Sequence, residues 1–263
     1  MRKLAAIFSV LAFSGPAFAA DMAVKAPLPS LASPATSYNW TGWYAGLNAG
    51  GAWQREDTTT TMDPGGHIGV PGTIALINAS GTGSATAGSF IGGVQTGYNW
   101  QINQTVFGIE ADFDGLTGNP TLNGAGALNI APNTFTTANS ARAEWLATLR
   151  PRLGVTFGRT LIYATGGLAL ADIRYTQTYT DTLNSGFGTS SVARVKAGWT
   201  AGGGIEYAFW DKWSTKLEYL YSDFSSVDTT GLVTATTGNT NLLHGSAALA
   251  IQTVRAGISL KFN

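Results

Sequence analysis

The side chains most able to do chemistry in this chain come in pairs two residues apart. Glu110 and Asp112, Arg150 and Arg152, and Lys216 and Glu218 follow that spacing, with Glu206 and Arg255 in similar surroundings. On an extended strand a spacing of two puts both side chains on one face. Glu144, Lys196 and Lys261 share the same parity with their neighbours. Acids and bases are nearly balanced on this face, which allows two kinds of chemistry. The charges can satisfy one another as a network of ion pairs and fill an enclosed space, or they can line a narrow passage for small solutes.

Other constellations are thinner. His67 and His244 are the only histidines. Both fall in stretches expected to be loops, where they can act as ligands for haem or metal or be scattered surface residues. Asp57, Asp63, Asp181, Asp223 and Asp228 lie near or in the same stretches without calcium-loop spacing. Asp181 is expected to be a surface residue. There is no G-x-S-x-G, H-E-x-x-H, Walker A or G-x-G-x-x-G motif, so no catalytic residues, metal or cofactor are expected.

The elements that must carry the charges alternate with period two. Eight such runs appear: 43–54, 89–101, 106–114, 144–157, 161–174, 195–209, 213–222 and 248–262. Their second face is apolar and rich in aromatic residues. Trp43, Leu47 and Trp53 belong to the first run, Phe107, Ile109 and Phe113 to the third, and Val254, Ile258 and Phe262 to the last. The connections alternate long (55–87, 116–143, 175–194, 224–246) with tight (102–104, 158–160, 210–212). Runs of this length, with this loop alternation, predict an all-β fold: a closed antiparallel transmembrane β-barrel of about eight strands, with long outer loops and short periplasmic turns. Trp43, Trp100, Phe157, Phe209, Trp213 and Phe262 fall at strand ends on the turn side. Trp53 and Tyr221 fall at ends on the loop side. Together they predict two aromatic girdles.

Composition agrees. Only 11% of residues are charged, against 44% hydrophobic, which is poor in charge for a soluble domain. Fifteen Lys+Arg against fifteen Asp+Glu leave no basic surface for nucleic acid. With no cysteine, a disulfide framework is excluded. Arg2 and Lys3, the apolar run 4–13 and Ala17-Phe18-Ala19 read as a signal peptide over 1–19. Residues 20–39, proline-rich and without alternation, read as a periplasmic linker ahead of a barrel over 40–263. The long connections are polar and read as solvated, mobile surface; Ile74 to Ile77 (IALI), inside the first of them, is also compatible with packing over the barrel mouth, and the sequence does not decide between the two.

Residues 38–53 (YNWTGWYAGLNAGGAW) resemble the first strand of the small outer-membrane barrels of alphaproteobacteria, the porin-family or OmpA-like β-barrel proteins. Residues 145–154 (WLATLRPRLG) and 163–168 (YATGGL) resemble that family's central hairpin. Residues 197–207 (AGWTAGGGIEY) and 213–221 (WSTKLEYLY) resemble the next, and residues 253–262 (TVRAGISLKF) the closing strand. The resemblance implies export to the cell outer membrane, contact with its lipid and lipopolysaccharide, and insertion by the barrel-assembly machinery. The implied role is structural, in envelope integrity, with loops free to meet host or surface ligands; a small-solute porin or a loop-mediated haem or ligand binder is the alternative. Pro151 stands where relatives usually carry glycine, and a proline cannot donate to a ladder, so a bulge or local gap is expected there.

Overall fold

Alternating side chains need a sheet with two unlike faces, and a sheet with an apolar outer face leaves unpaired edges in lipid unless it closes. The computed structural model, which describes residues 38–262, shows that closure. Its strands are β1 (Gly42–Met62), β2 (Gly83–Ile102), β3 (Thr105–Leu116), β4 (Leu122–Ala127), β5 (Thr134–Phe157), β6 (Thr160–Asp181), β7 (Phe187–Ala208), β8 (Trp213–Thr234) and β9 (Thr240–Phe262), with one helix, α1 (Pro71–Ser80). All neighbours are antiparallel. β1 pairs with both β2 and β9, and β3 pairs with β5 to close the ring. β3 and β4 both pair with β5, at different heights, so nine strands make eight staves.

The tight turns fall at 103–104, 158–159 and 209–212. Asn103 and Gly158 open two of them with positive φ (55° and 62°), the backbone that two-residue hairpins require. At the other end the strands run further than their apolar pattern does. In β1, Trp43, Leu47 and Trp53 face outward, but beyond them the outward residues are Arg55, Asp57 and Thr59, while Thr58 and Thr60 are buried. Alternation therefore continues past the apolar belt with polar residues on both faces. The long connections begin as strand, and the irregular loops shrink to 63–82, 117–121, 128–133, 182–186 and 235–239.

The interior is layered. At the turn end Tyr38, Trp40, Val106, Leu161, Tyr163 and Ala208 form an apolar floor. Next comes the charged layer described below. Above it lies a second apolar layer that includes Ile91, Leu146, Ile173, Phe224 and Ile251. At the loop end Met62, Ile68, Phe135, Tyr179 and Leu243 meet Ile74 and Ile77 of α1, so the helix is a lid set into the mouth. Pro71 starts that helix, and the Gly81 N–H closes it onto the Ile77 carbonyl at 3.1 Å.

Two breaks in the ladder are repaired by side chains. Arg150 and Pro151 have no register partner on β6, whose pairing resumes at Arg152–Thr165, and the Thr165 hydroxyl donates instead to the Pro151 carbonyl at 2.8 Å. Between β3 and β4, β5 loses its neighbour. There the Gln54 Oε1 accepts the Ala143 N–H at 2.8 Å, its Nε2 donates to the Thr117 carbonyl at 3.0 Å, and the Glu56 carboxylate accepts the Ala141 N–H. Unpaired backbone inside a closed barrel is costly, and these two side chains from β1 supply what the missing stave does not.

Glu56 lies beyond the apolar belt, at the height of the exposed Arg55–Asp57 pair. Burial pushes its carboxyl up from 4.5 to about 7. Between those two values the folded protein holds a proton that the unfolded chain has released, so this group makes stability fall as pH rises through the window. The unfolding midpoint in urea is expected to drop between pH 5 and pH 8, and Glu56→Gln to flatten the drop. The same slope in both proteins would show that Glu56 is not the group responsible.

Candidate functional site

The charged layer occupies the middle of the barrel. Glu110, Arg150, Arg152, Glu206, Lys216, Glu218 and Arg255 are all buried and all linked. Arg150 Nη2 donates to Glu110 Oε1 and to Asp112 Oδ2, each at 2.7 Å. Arg152 meets Glu206 Oε2 at 2.6 Å and Glu110 Oε2 at 3.3 Å. Lys216 Nζ lies 2.8 Å from Glu110 Oε1. Arg255 binds Glu218 Oε2 at 2.8 Å and Asp112 Oδ2 at 3.0 Å, and contacts Asp114.

Each strand delivers its charge because parity holds through the apolar belt. β3 brings Glu110, Asp112 and Asp114; β5 brings Arg150 and Arg152; β7 brings Glu206; β8 brings Lys216 and Glu218; β9 brings Arg255. Two tyrosines complete the layer. The Tyr44 hydroxyl donates to Glu110 at 2.7 Å, and the Tyr163 hydroxyl donates to Glu218 at 2.9 Å. Arg152 lies over the Tyr163 ring, 4.2 Å from its centroid. Space for the tyrosines comes from facing glycines. A Cβ on Gly204 would sit 2.7 Å from the Tyr163 hydroxyl, and one on Gly97 would collide with that of Tyr44.

Asp112, paired with Glu110 in the sequence, joins the cluster as expected, whereas Tyr44, Asp114 and Tyr163 are members that the charge pairing does not single out, although their inward parity is readable. Glu144 and Lys196 share the expected parity but not the cluster. A register irregularity between Ala143 and Leu146 turns Glu144 outward, where it meets Arg142 at 3.2 Å and Arg174 at 3.1 Å. Lys196 is half-exposed on the part of β7 that has lost its register with β8. Lys261 sits at the turn-end mouth and contacts the Asn39 carbonyl.

Trp43, Trp53, Trp100, Phe157, Trp213 and Phe262 are exposed on the outer face, with Phe209 and Tyr221 half-exposed. Trp43 is 60% exposed and Trp213 36%, both at the turn-end starts of their strands. Among the described residues no helix is long and apolar enough to cross a membrane, and the exposed apolar belt belongs to the strands.

The histidines do not share a site. His67 is buried, with its Nε2 2.7 Å from Asp181 Oδ2, while the half-exposed His244 lies 3.1 Å from Asp63. Asp181, expected on the surface, is buried at the end of β6 and takes the Gly186 N–H at 3.2 Å. Among the described residues no three potential metal ligands come together.

Residues 6–262 match the family described as outer membrane protein beta-barrel domain. The chain belongs to that family. The 31 kDa outer-membrane immunogenic protein of Brucella melitensis is 34% identical over 271 residues, 98% of either chain. The 25 kDa outer-membrane immunogenic protein of Brucella abortus is 27% identical over 259 residues, 97% of this chain and 94% of its own. A 22 kDa outer membrane protein of Rhizobium leguminosarum is 32% identical over 139 residues, about half of each chain. This chain is thus an outer-membrane β-barrel of the alphaproteobacterial kind.

Removing one partner of a buried pair leaves an unanswered charge, at a cost of about 3–5 kcal/mol. Arg255→Ala is therefore expected to lower the urea midpoint of the refolded barrel strongly. Asp57→Ala, which breaks only the exposed pair with Arg55, is expected to leave it in place. Equal midpoints for the wild-type protein and Arg255→Ala would contradict the network.

Proposed function

We propose that this protein is a sealed structural barrel that supports the envelope and displays its loop end at the cell surface, without catalytic activity. The observation that carries this reading is the fully buried charged layer around Arg150 and Arg255. An eight-stave barrel has room for side chains to fill its cross-section. Here the filling is charge paired acid to base, with an apolar layer on either side. A narrow charge-lined pore would need these groups to be wet and free to exchange partners with a passing solute.

In this reading the outward tryptophans and phenylalanines are girdles that fix the barrel's depth. The barrel-assembly machinery recognises the closing strand at Phe262, and surface ligands meet the loop end. The Brucella relatives are named immunogenic, which supports a loop end open to the outside. His67 and His244, each committed to its own aspartate, give no support to haem capture.

Protein reconstituted in planar bilayers is expected to show no unitary conductance steps. Reproducible steps from the wild-type protein would replace this reading with that of a small-solute porin.

A further inference from the structure

On the outer face, just above the apolar belt, the wall carries a polar cleft of about 420 Å3. A second cleft of about 490 Å3, sharing Asn119 and Arg142, adjoins it where β3 gives way to β4. The first is lined by Arg142 and Arg174 together with the hydroxyls of Thr121, Thr176, Thr178 and Ser191.

Arg142 and Arg174 stand directly opposite each other in the β5–β6 register. Like charges in that position repel. Glu144 holds them together, 3.2 Å from Arg142 Nη2 and 3.1 Å from Arg174 Nε, and Asp172 adds a contact to the same Nε at 3.5 Å. The carboxylates thus grip the inner edge of Arg174. Its Nη pair has no protein hydrogen-bond partner among the described residues. Arg142 reaches Asn119 Oδ1 at 3.5 Å through Nη1. The hydroxyls are already ordered: Thr176 donates to Ser191 at 3.2 Å, and Thr178 lies 3.4 Å from Thr189.

The height of this cleft matters. Below it, Phe113 and Trp145 stack at 5.6 Å on the outer face, and Leu168 marks the belt on β6. The cleft therefore opens where acyl chains end and head groups begin. An open guanidinium fork suits a phosphate. Two carboxylates, an amide and a row of hydroxyls suit sugar hydroxyls, which both donate and accept. A bare phosphate would use the fork and gain nothing from the rest.

From this geometry we infer that the Arg142–Arg174 cleft is a binding site for a phosphorylated saccharide, of the kind an outer-leaflet glycolipid head group presents. The site is separate from the sealed interior and stands whether or not the barrel conducts.

The test uses the full barrel in detergent micelles. The probes are a diphosphorylated, acylated glucosamine disaccharide, its dephosphorylated form, the deacylated phosphorylated disaccharide and inorganic phosphate. The wild-type protein is expected to bind the phosphorylated lipid about tenfold more tightly than its dephosphorylated form. Arg142→Gln/Arg174→Gln is expected to lose that preference. Competition by the deacylated disaccharide shows that the phosphosugar alone is recognised; competition by the acylated form only shows that the lipid-borne head group is the ligand. Equal binding by wild type and double variant, or competition by inorganic phosphate as effective as by the disaccharide, overturns the inference. If the double variant does not fold, Thr176→Val/Ser191→Ala replaces it, and unchanged affinity in that protein is equally fatal.

Discussion

A guanidinium taken out of water needs carboxylates close by, and the middle of this barrel is arranged around two of them. Arg150 and Arg255 are both fully buried, and both reach Asp112 and Glu218. The arginines come from β5 and β9 and the shared partners from β3 and β8, over 100 positions apart in sequence. A slip of one residue in any of them would carry its charges to the lipid face and leave its partners bare. The cluster therefore sets register as well as filling space. It also requires glycine at Gly97 and Gly204, because the tyrosines that complete it need the opposite wall to be flat.

The same demand explains why the barrel tolerates broken ladders. Near the head-group boundary β5 has no neighbour on its β3–β4 side for several residues, and beside Pro151 the pairing with β6 lapses. Gln54, Glu56 and Thr165 place side-chain oxygens where ladder partners are missing. The first break also opens the outer wall where the polar cleft lies. One irregularity in the stave formed by β3 and β4 thus has an interior repair and an exterior recess.

The faces of the strands are readable in the sequence wherever lipid imposes contrast. Leu47, Phe107 and Val254 announce the outer side, and Glu110, Arg150 and Arg255 the inner side, because hydrocarbon rejects charge. Past the belt the threonine-rich continuations of β1 and β5 carry little contrast between their faces and are indistinguishable from loops. Glu144 is misplaced by parity because the register irregularity after Ala143 changes the count, and nothing in the residues near it signals that. The inward side of Asp114, Tyr44 and Tyr163 is legible, yet their membership in the cluster depends on which strands become neighbours across the lumen. His67 and Asp181 are 114 positions apart, and only the folded loop end brings them together.

The dependence of the interior on its charged layer is tested most directly by a double-mutant cycle on Arg255 and Glu218, with urea unfolding of Arg255→Ala, Glu218→Ala and the double variant in the same micelles. A cooperative, solvent-excluded pair predicts a coupling energy of about 1–3 kcal/mol, so that the second truncation costs much less once the first is made. Losses that add to within about 0.5 kcal/mol would show that the two side chains act independently, and the sealed, register-setting network would be contradicted.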